Sequence, residues 1–128
     1  MSSMAEGPAT LAEAIDVIEE TYAYLLAYAA QGRARDDSGD DGVREYLARA
    51  DAGLAIVAAM PPQGNADEAA FIEQVRQDAI RARTALRFVL AQRAIGSQIV
   101  DNLNASIHLR TLLTDLFLVD EALKISEG

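Results

Sequence analysis

Four aspartates, Asp36, Asp37, Asp40 and Asp41, share seven positions with Gly39 and Gly42. Closely spaced carboxylates with glycine are what a calcium loop is built from, because calcium takes several oxygen ligands around a sharp turn. An EF-hand needs ligands at loop positions 1, 3, 5 and 12 and a glycine at 6. With Asp37 at position 1, Asp41 falls at 5 and Gly42 at 6. Position 3 is then Gly39 and position 12 is Ala48, and neither has a side-chain oxygen. With two ligands missing, the run reads as a joint between helices. The glycines let the chain reverse, and Asp40 or Asp41 caps the next helix against its positive dipole end.

His108 is the only histidine, and there is no cysteine. Di-iron bundles draw on two Glu-x-x-His pairs, but Ala105 stands three residues before His108. A histidine- or thiolate-based metal site is therefore not expected, nor any cofactor. No Gly-rich phosphate loop or nucleophile-elbow pattern occurs. Acid pairs such as Glu19-Glu20 read as solvated surface.

The stretch Asn104-Ala-Ser-Ile-His108-Leu-Arg-Thr-Leu-Leu-Thr114 resembles the phosphoacceptor helix of sensor histidine kinases. That helix reads roughly Ser-His-Glu-Leu-Arg-Thr-Pro-Leu, on a bundle that dimerises into four helices. The resemblance implies a helical His108 as phosphoacceptor. Leu109 replaces the family's acid and Leu112 its proline. Without the acid that accepts the proton in transfer from ATP, what the resemblance implies narrows to a degenerate phosphotransfer module fed by another protein.

Composition decides which elements hold these residues. The chain has 128 residues, 51% of them hydrophobic but only 5% aromatic, enough for one helix-rich domain with a real core. The net charge is −9. Residues 1–63 contribute −7 and residues 64–128 contribute −2. Nucleic-acid binding needs clustered Lys and Arg, so no such partner is expected. The first basic residue is Arg33, and the longest uncharged run, Ala52–Ala66, contains Pro61-Pro62. Neither a secretory signal nor a membrane span is expected, and a cysteine-free chain suits the cytoplasm.

Residues 1–9 read as a flexible tail. Thr10-Leu-Ala-Glu13 and Asn65-Ala-Asp-Glu68 read as capping boxes opening two helices. Helices are expected over about 10–32, 41–60, 66–94 and 98–124. Whether the third and fourth run on through Gly96 stays open. The first seam is Leu11, Ile15, Ile18, Tyr22, Leu25 and Ala29, and the second is Val43, Leu47, Ala50, Leu54 and Val57. The third is Ile72, Val75, Ala79, Ala82, Leu86 and Val89. Four amphipathic helices with short links make an all-α, antiparallel up-and-down four-helix bundle as a single domain over 10–128.

Tyr24 and Tyr28, one turn apart, are candidates for a partner-binding patch, against packing at the bundle edge. Arg76, Arg83 and Arg87 line one side of the third helix, and Glu13, Asp16 and Glu20 one side of the first. Mutual pairing within the bundle, or simply solvated faces, is a better reading of both than contact with a partner's acidic patch. The fourth helix carries two apolar faces. Ile99, Val100, Leu103 and Ile107 share one, and Leu109, Leu112, Leu113, Leu116, Val119 and Leu123 the other, with Phe117 and Leu118 outside both. At 100° per residue the faces lie well apart, so one straight helix cannot bury both on one core. Either the helix breaks near Asn104–Ser106 or the second face meets another chain. The expected interface is Leu109, Leu112, Leu116, Val119 and Leu123, in a homodimer. The function expected is protein–protein interaction without catalysis, as a self-associating adaptor or accessory subunit. The alternatives are the phosphotransfer module with His108 as acceptor, and a bundle enclosing a small apolar ligand.

Overall fold

A computed structural model describes residues 7–32 and 42–127. Five α-helices follow in order: α1 Leu11–Ala30, α2 Gly42–Ala58, α3 Ala66–Leu90, α4 Ser97–Ile107 and α5 Leu109–Glu127. No strand occurs among the described residues. The joint expected at Asp36–Asp41 and most of the expected tail lie outside them.

Both capping boxes are present. The Thr10 hydroxyl accepts from the Glu13 amide at 3.1 Å, while the Glu13 carboxylate accepts from the amides of Thr10 and Ala9. Asn65 and Glu68 repeat the exchange at the start of α3. Gly64 precedes that cap at φ 78°, and a Cβ there would collide with the Glu68 side chain. Glycine is required on both counts. α1 ends at Gln31, followed by Gly32 at φ 69°, the left-handed terminator a helix commonly uses.

The expected seams of α2 and α3 are all buried. α1 differs. Its buried stripe is Ala14, Val17, Ile18, Thr21, Leu25 and Tyr28, while Leu11, Ile15, Tyr22 and Ala29 are only partly covered. α1 packs against α2 on one side and α4 and α5 on the other, which widens and rotates its buried face. Thr21 is tolerated inside because its hydroxyl donates to the Val17 carbonyl at 2.8 Å. A Cβ on Gly53 of α2 would lie 3.3 Å from the Ala14 carbonyl oxygen, so α1 and α2 meet closely there.

α3 and α4 are separate, with Gly96 at the N-cap of α4. The single fourth helix expected over 98–124 is corrected: it breaks at His108, which adopts φ 50°, ψ 47°. The break turns both apolar faces inward. Val100, Leu103 and Ile107 of α4 are buried, as are Leu109, Leu112, Leu113, Leu116 and Val119 of α5. α4 and α5 each pack on α1 and α3.

Candidate functional site

The residues expected at a dimer interface lie in the chain's own core. Leu109 is fully buried, Leu112, Leu116 and Val119 nearly so, and Leu123 is partly covered by the same cluster. With α5 docked, the part of this seam from Leu109 to Val119 offers no free surface, and only Leu123 keeps some. Tyr28 is likewise removed from the expected partner patch. It is 2% exposed, and its hydroxyl donates to the Ile95 carbonyl. Tyr24 is half-buried and stacks on Tyr46 of α2, with ring centroids 3.9 Å apart. The basic side of α3 turns largely inward to the bundle. Arg83 meets Asp51 of α2 at 2.9 Å, and Arg76 donates to the Ala58 carbonyl at the end of α2. Arg49 of α2 reaches Glu20 of α1.

His108 is exposed at the corner between α4 and α5 rather than on a helix face. The continuous phosphoacceptor helix that the resemblance implies is therefore absent. The corner borders two shallow hollows. One is shared with Asp78, Arg81, Ser106 and Thr111, the other with Tyr22, Asp101, Asn104 and Arg110. The buried Asn104 Oδ1 accepts no hydrogen bond. Nearby on α5, partial burial pushes the Asp115 carboxyl above the ordinary aspartate range, and the Asp78 carboxylate adds to the shift. Among the described residues no three His, Asp or Glu side chains come together as a metal site.

A strongly apolar groove lies elsewhere, between the first turns of α3 and the last turns of α5. Phe71 and Ile72 face Leu118, Val119, Ala122 and Leu123 across a groove of about 210 Å³, rimmed by Asp67 and Glu68. Ile72 and Val119 are buried and belong to the core. Phe71 and Leu123 are half-buried, and Leu118 is 58% exposed. Phe117 beside it is 47% exposed. The lining is almost wholly apolar. Pockets that enclose a drug-sized ligand run from about 300 to 1,000 Å³, so this groove suits one or two inserted side chains. Its rim is acidic, with Asp67 and Glu68 at the start of α3.

Sequence reasoning missed the groove, although one signal was there. Phe71-Ile72 and Leu118-Val119 are adjacent apolar pairs, and neighbours on a helix point 100° apart. One of each pair fills the core and leaves the other at the surface.

No protein-family model, curated protein or solved structure matches this chain. Among the described residues no helix is long and apolar enough to cross a membrane.

Proposed function

We propose that the protein is a non-catalytic, cytoplasmic interaction module. It would be an antiparallel up-and-down bundle, with α4 and α5 in series filling the fourth position. Supporting this topology, Tyr28 near the end of α1 meets Ile95 and Ser97 at the start of α4. Arg44 near the start of α2 meets the end of α3.

The observation that carries the functional reading is the α3–α5 groove. It leaves Leu118 exposed opposite the half-buried Phe71, where a small domain normally keeps large apolar side chains scattered. The partner fitting it is an amphipathic helix from another protein. One or two of its apolar side chains would enter between Phe71 and Leu118, and flanking Lys or Arg would meet the acidic rim. Helix-in-groove recognition reads such anchors at i, i+3 and i+4 spacing. The rim charges would speed encounter more than they tighten the complex. Self-association through the C-terminal helix is a separate matter from the groove, and it requires α5 to leave its own chain.

Panning a displayed library of helical peptides against the full chain tests the groove. Selected peptides should carry apolar residues at helical spacing with flanking basic residues, and should lose binding to Leu118→Glu. Enrichment of nothing, or of binders indifferent to Leu118→Glu, would end the proposal.

A further inference from the structure

The α4–α5 corner is a single residue with nothing local to demand it. His108 is the one non-glycine residue with positive φ among the described residues. Helices that end this way usually do so on glycine, as α1 does at Gly32. Here the sequence Asn104-Ala-Ser-Ile-His-Leu-Arg-Thr-Leu-Leu113 has neither glycine nor proline. Histidine enters the left-handed region more readily than most residues, but still against its own preference. The corner also interrupts the backbone ladder that would join the amides of residues 108–111 to the carbonyls of residues 104–107.

What holds the bend is tertiary packing. Ile107 and Leu109 flank it, and both are buried. The rest of the α5 seam, Leu112, Leu116 and Val119, sits in the core cluster against α1 and α3. If α5 left that position, the stretch would be free to straighten, and Ser97–Glu127 would become one helix. The surface vacated on α1 and α3 is complementary to one sequence already fixed by evolution, the α5 of another copy.

We infer that His108 is a swap hinge, and that the protein forms a two-fold dimer in which each α5 docks on α1 and α3 of the partner copy. The interface needs no new complementarity, because its contacts are those of the closed monomer. The balance between closed and swapped forms therefore rests on the hinge conformation against the entropy of association. This assembly is independent of groove occupancy. Leu118→Glu addresses the groove, and His108 substitutions address the swap.

Two hinge variants separate this from an ordinary dimer. Glycine accepts the left-handed corner and weakens the straight helix, whereas alanine does the reverse. Sedimentation equilibrium of the full chain over a wide micromolar range should show a monomer–dimer equilibrium. His108→Gly should raise the dimer dissociation constant by on the order of tenfold per hinge, about a hundredfold in all, and His108→Ala should lower it. Spin labels on Gln98→Cys and Thr114→Cys, diluted with unlabelled protein, should move on dimerisation toward the roughly 24 Å Cα separation of a straight helix. The chain's lack of cysteine makes that labelling specific. Three results would overturn the inference: strict monomers for all three proteins, glycine and alanine shifting the equilibrium the same way, or a dimer with the label distance unchanged.

Discussion

Tyr28 donates its phenolic hydrogen to the main-chain oxygen of Ile95 at 2.5 Å, across 67 positions of sequence. The carbonyl of the same tyrosine accepts from the Ser97 hydroxyl at 2.7 Å. One residue of α1 thus fixes both the segment entering α4 and the first residue of that helix. Tyr28→Phe keeps the ring and removes this hydrogen bond. The expected loss is about 0.5–1.5 kcal/mol of stability, measured as a lower urea midpoint with an unchanged slope. A midpoint equal to that of the parent would show that the bond contributes nothing net.

Gly53 and Ala14 set the distance between α1 and α2. A Cβ at Gly53 meets Ala14 backbone at 3.3 and 3.5 Å and the Ile18 side chain at 3.5 Å. A branched side chain cannot fit without moving one helix. Gly53→Val is expected to destabilise by about 1–3 kcal/mol through overpacking, despite removing a helical glycine. A thermal midpoint at or above the parent's would refute the close approach.

Burial of Asp115 beside Asp78 should give stability a pH dependence. The Asp115 carboxyl is raised above the ordinary aspartate range by burial and by Asp78. A raised folded value means that the native state holds the proton more tightly than the unfolded chain. The contribution is full below the unfolded value and is lost as pH rises through the folded one. At neutral pH the ionised carboxylate therefore works against the fold. Asp115→Asn should be more stable than the parent at pH 7, and the difference should vanish in acid. A loss of stability at pH 7 would reverse the assignment.

His108 is expected to take no phosphate. The acid that would receive the proton in transfer from ATP is replaced by Leu109, which is fully buried. Incubation with labelled ATP, or with a phosphorylated receiver domain, should leave no acid-labile, base-stable label. Label that appears on the parent and disappears in His108→Ala would restore the phosphotransfer reading.

The seams of α2 and α3 were legible because Leu47, Leu54, Val75 and Leu86 each recur at three- and four-residue steps and face one core. α1 was read with its stripe rotated. Thr21 and Tyr28 look like surface residues by type, and only their hydrogen bonds to Val17, Ile95 and Ser97 make them interior. Two inconsistent faces signalled a break in the last helix near Asn104–Ser106, and it falls just beyond, at His108. Without glycine or proline nearby, the bend is decided by how Ile107 and Leu109 dock. The groove itself was missed: Phe117 and Leu118 stood out as surplus apolar surface, but Phe71, which shares the groove with Leu118, comes from α3, and periodicity within one helix says nothing about which helix lies opposite.

The guanidiniums of Arg44 and Arg76 have a consequence for the order of assembly. Arg44 of α2 donates to the carbonyls of Leu90, Gln92 and Arg93 where α3 ends, and Arg76 of α3 donates to Ala58 where α2 ends. Each helix thus satisfies the terminal carbonyls of the other, and Arg83 with Asp51 joins them midway. Neither end is complete until both helices are in place, and the two are joined by a short link. Residues 42–90 should therefore behave as one cooperative unit, forming early and opening last. In native-state hydrogen exchange, the amides of α2 and α3 should share one high opening free energy, with those of α5 released at lower cost. Uniform protection across all five helices would show that the chain has no such internal hierarchy.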